Sequence, residues 1–498
     1  MAAVTRSEMR TAEAAALAAG WTEEQLLDLA GERLGHALGR HFPRPGAAIG
    51  YLGKGHNAGD ALVALKILRD HFGWKTAVRS AFPVEACAPL TRLKWREIGA
   101  ERPLNQRPPW RDLEGPLLLL DGLLGIGAEG GLREPLLSLA AEMEWLRQHA
   151  GARVAAVDLP SGVDPDSGEI TPGAVTADVT FMIGNAKRGL LRGRSANATG
   201  VLALVPVEIL TVSKPGEVEL IAPQTMDFGK SPRPFDFHKG LAGRVAVLAG
   251  SDRYPGAAVL AATGALRGGA GLITLHVPEH AAAVIAAKCP PEIIVRSFSS
   301  RLEPPDFNCD ALVVGCGIGK LDATAAAGLL DFIEQSSAPA VIDADALNLI
   351  AESGRIGIFN ERHVLTPHPG EFHRLAPDLA GEPRQSAART FADRVPATLL
   401  LKGCRSLIAR SGQPLWCNAT GTPGMATGGQ GDLLAGVIGA RLAIGDPPMA
   451  AAALGAWLCG RAAEIALLEP GLSEESLTPG DTARQLGGAF RDWKSARR

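Results

Sequence analysis

A glycine cluster that ends in an acid occupies residues 427–436, which read Thr-Gly-Gly-Gln-Gly-Asp-Leu-Leu-Ala-Gly. Glycines at the start of a helix leave backbone N–H groups free and present the positive end of the helix dipole to a developing anion. Asp432 can accept the proton of a substrate hydroxyl group there, or orient that hydroxyl toward a phosphate. An N-cap in a flexible turn is the alternative. The pattern indicates an active-site turn with Asp432 as its acid–base residue.

Three apolar runs in the N-terminal half each end in polar residues. The first leads into Gly-Lys-Gly-His-Asn-Ala-Gly-Asp at 53–60, the second into Asp121, and the third into Asp158 and Ser161. Ligands of an open parallel sheet bind outside the carboxyl ends of its strands. Five side chains are therefore predicted to converge: Asn57, Asp60, Asp121, Asp158 and Ser161. Oxygen donors without a His or Cys cluster favour a hard cation over zinc, although each Asp alone could be a helix cap.

Polar or glycine-rich segments also accompany the apolar runs of the C-terminal half. Two of them, at 238–240 and 250–258, lie on either side of the run 244–248, and those at 315–319, 343–348, 366–371 and 402–406 each follow a run. His363, His368, Glu371 and His373 could suggest a metal site, but Pro369-Gly370 breaks the helix that would align them. Cys316 and Cys404 follow strands without an evident base, so inert packing is expected for both.

Two common nucleotide-binding motifs are excluded. Gly125, Gly127 and Gly130 match G-x-G-x-x-G, but a dinucleotide fold needs an acid about 20 residues further on at a strand end. Glu144 lies instead within the helical stretch 142–148. The P-loop pattern G-x-x-x-x-G-K-[ST] does not occur in the sequence.

Short apolar runs alternate with amphipathic stretches along the whole chain, which is typical of a parallel, doubly wound α/β sheet. A segment rich in Pro and Gly at 211–234 interrupts the rhythm, so two α/β domains in series are predicted, at 1–212 and 222–498. The predicted strands are 47–52, 76–79, 116–120, 154–157, 179–183 and 201–205, then 244–248, 272–277, 311–314, 340–342, 363–365 and 398–401.

The composition argues against several functional classes of protein. The 498 residues carry a formal charge of −3 with only 5% aromatic residues, which argues against nucleic acid as a partner. The seven cysteines form no CxxC pair, so a disulfide framework or zinc site is not expected. The charged N-terminal stretch is unlike a signal peptide, and the apolar stretches 116–120 and 449–460 are shorter than the roughly 20 residues of a membrane span. A soluble cytoplasmic enzyme without membrane contact is expected.

Three N-terminal loops, at 53–60, 121–131 and 157–164, resemble the signature loops of NAD(P)H-hydrate epimerase domains. The first departs from the family pattern G-x-G-N-N-G-G-D-G at His56, Ala58 and Ala61. The resemblance implies a K⁺ site at Asn57, Asp121 and Ser161, and Asp158 as the acid–base residue of epimerisation. It implies that the hydrated nicotinamide is lined by His56, Asn57, Ala58, Gly59, Asp60, Gly125, Ile126, Gly127, Ala128, Glu129, Gly130, Gly131 and Asp158. Lys187 is a weaker candidate and is expected to be a surface lysine.

The C-terminal motifs resemble those of ribokinase-like proteins and, within that group, of ADP-dependent NAD(P)H-hydrate dehydratases. The family usually has Pro where this chain has Cys316. Contacts with the hydrate are implied for Ala257, Gly317, His368 and Asp432, the last as the catalytic acid–base residue. Contacts with the adenine nucleotide are implied for Lys402, Gly403, Cys404, Arg405, Ser406 and Gly431. The implied fold is an N-terminal Rossmann-like doubly wound sheet followed by a C-terminal ribokinase-like α/β domain.

Together these resemblances imply a bifunctional repair activity. One domain would interconvert the R and S hydrates of NADH and NADPH, and the other would dehydrate the S form at the expense of ADP, giving AMP and phosphate. Expected cofactors are K⁺ and Mg²⁺, and relatives suggest a homo-oligomer. Two alternatives stay open: a small-molecule kinase of the hydroxymethylpyrimidine type that uses Asp432, and a non-catalytic binding role for the N-terminal domain.

Overall fold

The computed structural model describes residues 1–99, 114–212, 216–299 and 308–495. They divide into two compact units, Met1–Leu220 and Ile221–Arg498. The division falls within the Pro- and Gly-rich segment 211–234, of which residues 213–215 lie outside the described part. None of the helices in the described ranges combines the length and apolar composition needed to cross a membrane.

The N-terminal unit contains a six-stranded, fully parallel sheet in the order β2-β1-β3-β4-β5-β6. The predicted strands are all present, with ends that move by at most two residues. The bounds are β1 (Ala47–Leu52), β2 (Lys75–Ser80), β3 (Leu117–Gly122), β4 (Arg153–Val157), β5 (Val179–Ile183) and β6 (Val201–Val205). A two-residue strand, Ala186–Lys187, pairs with Ala3–Val4, and a short strand covers Val218–Leu220.

The C-terminal unit is built on a sheet whose described strands follow the order β9-β8-β7-β10-β11-β12-β13-β14-β15. All pairs are parallel except β13 with β14 and β14 with β15. The bounds are β7 (Arg244–Leu248), β8 (Leu272–Pro278), β9 (Ile294–Phe298), β10 (Ala311–Val314), β11 (Ala340–Ile342), β12 (His363–Leu365), β13 (Thr398–Leu401), β14 (Ser406–Ala409) and β15 (Leu415–Asn418).

Helices flank both sheets, as the alternating pattern predicts, and the expectation of α/β folds with parallel sheets is confirmed. In the N-terminal unit they are α1 (Arg6–Ala18), α2 (Glu23–His41), α3 (His56–Phe72), α4 (Pro89–Ile98), α5 (Leu136–Ala150) and α6 (Ala196–Thr199). In the C-terminal unit they are α7 (Pro255–Arg267), α8 (Glu279–Lys288), α9 (Ala323–Gln335), α10 (Ala344–Ser353), α11 (Pro369–Leu375), α12 (Arg384–Arg394), α13 (Gln430–Ala443), α14 (Pro448–Ala466) and α15 (Pro479–Ser495).

Three strands of the C-terminal sheet were not predicted, namely β9, β14 and β15, and neither were the short strands Ala3–Val4, Ala186–Lys187 and Val218–Leu220. Strand β9 reads Ile-Val-Arg-Ser-Phe, lies at the sheet edge and is mostly exposed, so it lacks the continuous apolar run of a buried strand. Strands β14 and β15 have four residues each and form antiparallel ladders. The parallel strands were predicted from apolar runs that alternate with amphipathic stretches. That alternation does not reveal strands of only four residues that pair with each other.

Close helix packing fixes the helix that carries the glycine cluster. A Cβ added at Gly436 of α13 would lie 1.9 Å from the Ala261 carbonyl oxygen of α7, and one added at Gly264 of α7 would lie 2.2 Å from the Leu433 carbonyl oxygen. The missing side chains allow the two backbones into contact. The start of α13, with Asp432, is therefore held against the helix that bears Ala257.

Candidate active sites

A network of oxygen atoms joins the ends of β3 and β4 in the N-terminal unit. The fully buried Asp121 carboxylate accepts hydrogen bonds from the Ser161 hydroxyl (2.6 Å) and the Ser161 backbone N–H (2.7 Å). The Ser161 oxygen accepts from the Leu124 N–H at 2.9 Å, and the Asn57 side-chain amide donates to the Leu124 carbonyl at 3.0 Å. The structure thus brings Asn57, Asp121 and Ser161 together around Leu124.

The donor set of this network suits a hard cation. Burial raises the pKa of Asp121 to about 6, while hydrogen bonds from Ser161 and Leu123 lower it. No Lys or Arg within the described residues forms an ion pair with Asp121, so this buried carboxylate has no cationic side chain to compensate it. Carboxylate, hydroxyl, carbonyl and amide oxygens are the ligands expected for K⁺ or another hard cation.

Asp158 follows β4 and forms an ion pair with Lys187. Asp158 has a left-handed backbone conformation (φ 69°), and its carboxylate accepts a hydrogen bond from the Ile183 N–H at 2.9 Å and from the Lys187 ammonium. Lys187 also donates to the Ile183 carbonyl oxygen at 2.7 Å.

The expectation that Lys187 is a surface lysine is wrong, because its side chain has no exposed area. The pairing of Ala186–Lys187 with Ala3–Val4 covers the segment. The residues next to Lys187 in the sequence do not indicate its burial, because the strand that covers it, Ala3–Val4, lies at the other end of the unit.

Two further carboxylates interact electrostatically with Asp158. Asp60 at the start of α3 has a pKa raised well above its usual value by burial and by the charges of Asp158 and Glu13. Burial and then Asp158 also raise the pKa of Glu13 on α1, with Lys187 and His56 opposing the shift. Glu13 could not be predicted as a site residue, because a single acid on an amphipathic helix carries no motif.

The remaining residues of the first two loops lie around this group. Helix α3 begins at His56, so its first turns consist of His56, Asn57, Ala58, Gly59 and Asp60, with the Ala58 methyl buried in the core.

The second loop, 125–131, contacts α3 and α1. A Cβ at Gly125 would lie 3.1 Å from Asn57, one at Gly127 would lie 3.9 Å from Arg10, and Glu129 is 3.7 Å from Arg6. Ile126 packs on the core, whereas Gly130 faces open space and Gly131 lies near Thr171. Ala128 closes a turn by donating to the Gly125 carbonyl at 3.0 Å.

In the C-terminal unit, Asp432 lies beside Asp343 and Cys316. One ligand atom from each of the three side chains lies within 4.8 Å of the others. Burial, followed by the charge of Asp343, raises the pKa of Asp432 to about 6. Sequence analysis predicted only inert packing for Cys316. The side chain is fully buried and belongs to the hydrophobic core, and its thiol also donates to the Asp343 carboxylate at 3.9 Å.

Lys402 connects this acid pair to the next loop. Its ammonium donates to Asp343 Oδ1 at 2.8 Å and lies 3.9 Å from Glu371 Oε2. Burial lowers the pKa of Lys402, but Asp343 and Glu371 outweigh burial, so the net shift is upward. A Cβ at Gly431 would lie only 3.2 Å from this ammonium, so the glycine cluster and Lys402 face each other.

The other predicted residues of the C-terminal unit are those implied to contact the hydrate and those implied to contact the nucleotide. A Cβ at Gly317 would lie 2.7 Å from the Ala257 Cβ, so these two are adjacent. His368 caps α11, accepting from the Gly370 N–H at 2.9 Å, and its ring lies 3.4 Å from Glu371. In the loop 402–406, Cys404 is exposed rather than packed, whereas the Arg405 guanidinium is buried and donates to the Ala419 carbonyl at 3.0 Å. The Ser406 hydroxyl accepts from the Gly403 N–H at 3.3 Å.

Comparison with known proteins gives matches in both units. A family described as NAD(P)H-hydrate dehydratase matches residues 245–483, and one described as the YjeF-related protein N-terminus matches residues 23–189. The bifunctional NAD(P)H-hydrate repair enzyme Nnr of Gloeobacter violaceus is 36% identical, over 92% of this chain and 94% of its own. The enzyme of the same name from Methanopyrus kandleri is 33% identical, over 95% of each chain.

Among solved structures, a ribokinase-like superfamily protein from Enterococcus faecalis aligns with 56% of this chain and 96% of its own. The identity is 27% and the TM-score is 0.48. An ADP/ATP-dependent NAD(P)H-hydrate dehydratase from Bacillus subtilis aligns with 53% of this chain and 94% of its own, at 28% identity and a TM-score of 0.45.

Proposed function

The chain belongs to the bifunctional NAD(P)H-hydrate repair enzymes, and on that basis we propose which of its residues perform each activity. The enzyme combines a hydrate dehydratase and a hydrate epimerase. Its substrates are NADH and NADPH that have added water across the 5,6 double bond of the nicotinamide ring. We assign the epimerase to residues 1–212 and the dehydratase to residues 222–498.

In the dehydratase, Asp432 is the general base. Hydroxide is a poor leaving group, so the hydroxyl oxygen of the S hydrate attacks the terminal phosphorus of ADP while Asp432 accepts the hydroxyl proton. The bond from the terminal phosphorus to the bridging oxygen of ADP breaks, and AMP leaves. The new ester then loses phosphate while water takes the proton from the adjacent ring carbon, which restores the double bond. The products are the reduced dinucleotide, AMP and phosphate. The position of Asp432 at the start of α13, beside Asp343 and opposite Lys402, is the observation that carries this assignment.

The surrounding groups stabilise the charge on the transferring phosphoryl group. The backbone N–H groups at the start of α13 supply dipolar donors, and the Lys402 ammonium beside Gly431 supplies a cationic one. Gly403, Cys404, Arg405, Ser406 and Gly431 form the nucleotide side, while Ala257, Gly317 and His368 line the hydrate. The side chain of Arg405 is buried, so we assign its contribution to the backbone of the loop.

A divalent cation accompanies the nucleotide. Asp343 offers a carboxylate oxygen of the kind that suits Mg²⁺, and Asp432 then stays available as the base. When bound, Mg²⁺ neutralises phosphate charge. We propose ADP as the phosphoryl donor, following the resemblance of the C-terminal motifs. A comparison of turnover with ADP and with ATP at equal Mg²⁺ tests the choice, and faster turnover with ATP would reverse it.

In the epimerase, Asp158 is the acid–base residue of epimerisation at the hydroxyl-bearing ring carbon, and Lys187 holds the Asp158 carboxylate in place. The hydrate lies against the loops 56–60 and 125–131. Asn57, Asp121 and Ser161 form the K⁺ site, where the bound cation would compensate the buried Asp121 charge. Activity measured in K⁺ against the same concentration of a tetraalkylammonium salt tests this, and equal rates would refute it.

Recovery of near-ultraviolet absorbance by the dihydronicotinamide tests both activities together. The enzyme is mixed with R and S NADH hydrates, Mg²⁺ and K⁺, and nucleotide is added last. Recovery should begin only with nucleotide and continue past the S fraction faster than spontaneous epimerisation. Recovery that slows once the S form is consumed would indicate a non-catalytic N-terminal unit. No recovery would favour the kinase alternative, which predicts a stable phosphorylated product and leaves the N-terminal unit without a function.

We also propose that the enzyme is a cytoplasmic homo-oligomer without nucleic-acid or membrane partners. The low aromatic content and the slightly negative charge support the absence of nucleic acid. Sedimentation velocity measures the oligomeric state directly, and a single monomer boundary at all concentrations would refute the oligomer.

A further inference from the structure

The Cys316 thiol lies between two carboxylates in the dehydratase site. Cys316 Sγ lies 3.9 Å from Asp343 Oδ2, to which the thiol donates, and a carboxylate oxygen of Asp432 lies within 4.8 Å of both atoms. The side chain has no exposed area. Apart from these two acids, no hydrogen-bond partner of the thiol occurs in the described part of the chain. The thiol and the two carboxylates therefore bring one sulfur and two oxygen donor atoms together at one point.

Lys402 and Thr366 leave the Asp343 oxygen nearest the thiol available to a ligand. Lys402 and the Thr366 hydroxyl both donate to Asp343 Oδ1, each at 2.8 Å. They occupy the oxygen on the far side and leave Oδ2, the atom nearest the thiol. Three ligand atoms, from a thiol and two carboxylates, therefore lie within 4.8 Å of one another.

Charge also favours a cation at this point. Asp343, Asp432 and Glu371 supply three carboxylates, and Lys402 is the cationic side chain that contacts Asp343 and Glu371. A divalent cation brings two positive charges, and it displaces the thiol proton to solvent when it binds sulfur. Thiolate is a soft ligand, which Zn²⁺ accepts readily and Mg²⁺ does not.

We propose that Cys316, Asp343 and Asp432 form a binding site for a thiophilic divalent cation of the Zn²⁺ class, whose occupancy blocks the dehydratase. The metal binds Cys316 Sγ, Asp343 Oδ2 and a carboxylate oxygen of Asp432, with a fourth position open to water. Three protein ligands and one open position are common at zinc sites. While the metal holds its carboxylate, Asp432 cannot accept a substrate proton. The inhibition, though not the binding, rests on the proposed function.

Cobalt provides a direct readout of the sulfur ligand. The full-length enzyme is titrated with Co²⁺ in place of Zn²⁺, and near-ultraviolet absorption from thiolate-to-cobalt charge transfer is recorded. We expect the band to saturate at one equivalent in the wild type and to be absent in Cys316→Ala and in Cys316→Ser. The serine variant keeps the size and polarity of the side chain if the alanine variant folds poorly. Cys289→Ala is the matched control, because Cys289 lies outside the site and should leave the band unchanged.

Zinc inhibition is then measured at fixed Mg²⁺ and saturating ADP on the S hydrate, each variant against its own rate without zinc. Loss of the sulfur ligand should weaken inhibition by roughly tenfold or more, since even outer-shell partners change metal affinity by that factor. A cobalt band that persists in both Cys316 variants, or that never forms in the wild type, would overturn the site. A Cys316-dependent band in a protein that never restores the dihydronicotinamide would leave the metal site standing and refute the repair mechanism instead.

Discussion

At the scale of single residues, Asp432 should control the dehydratase alone. The change Asp432→Asn keeps the shape of the side chain but removes its ability to accept a proton. We expect kcat on pure S hydrate to fall by about 10²–10⁴, the range typical of general-base catalysis. Epimerisation, followed by chromatography of the R and S forms without nucleotide, should be unchanged. A variant that retains kcat within about tenfold would remove Asp432 from the base role.

Asp158 and Lys187 should control the epimerase, so their substitution should slow epimerisation and leave the dehydratase active. Asp158→Asn should slow R-to-S conversion by about 10²–10⁴ while turnover of pure S hydrate persists. Lys187→Met should also impair epimerisation, because Asp158 loses the ammonium that holds it, and it should lower the stability of the N-terminal unit. If Asp158→Asn converts the epimers at the wild-type rate, the unit is a binding scaffold or uses another acid.

Motif residues could be predicted from the sequence, whereas their partners from distant segments could not. Asn57, Asp121 and Ser161 follow strands, so parallel-sheet topology alone predicts that they meet. Lys187 lies on a strand that pairs with Ala3–Val4, and the charge of Asp158 raises the pKa of Glu13 on α1. Cys316 faces Asp432 across a separation of more than a hundred residues in the chain. Such contacts depend on long-range packing, which a local pattern does not contain.

At the scale of elements, contact between α7 and α13 should determine whether Asp432 is in position. Gly436→Ala would place a methyl group 1.9 Å from the Ala261 carbonyl oxygen, where backbone must move. We expect a loss of about 1–3 kcal/mol of unfolding free energy, with a fall in dehydratase kcat. Gly487→Ala in α15 is the control, because its Cβ meets nothing within 4 Å and should be neutral or stabilising. Equal stability of the two variants, measured by urea unfolding, would contradict tight packing of α7 on α13.

Two buried histidines in the strands should make the C-terminal unit sensitive to acid. Burial, with lesser effects of Arg296 and Arg362 respectively, lowers the pKa of His276 in β8 and of His363 in β12 from 6.5 to about 4. The unfolded chain therefore binds protons below pH 6.5 that the folded unit does not bind. Stability is complete above that pH and is lost as pH falls toward about 4, by up to about 3 kcal/mol for each histidine.

The double variant His276→Gln/His363→Gln tests this origin of acid sensitivity. Glutamine does not titrate, so the unfolding free energy of the variant should change less between neutral pH and pH 4 than that of the wild type, even if it is lower at neutral pH. Urea unfolding at several pH values, followed through the tryptophan fluorescence of the C-terminal unit, gives the two curves. Parallel curves would assign the acid sensitivity to carboxylates instead.

At the scale of the whole molecule, each unit has its own cluster of candidate catalytic residues, Asp158 with Lys187 in one and Asp432 with Asp343 in the other. The S hydrate made by the epimerase is a small molecule that can leave one chain and bind to another. An equimolar mixture of Asp158→Asn and Asp432→Asn chains should therefore repair R and S hydrates completely, although either variant alone leaves material unrepaired at early times. The double variant should repair neither form. If the mixture stays no faster than the Asp158→Asn chain alone, the hydrate must pass between active sites of the same chain, and repair then depends on the physical fusion of the two units.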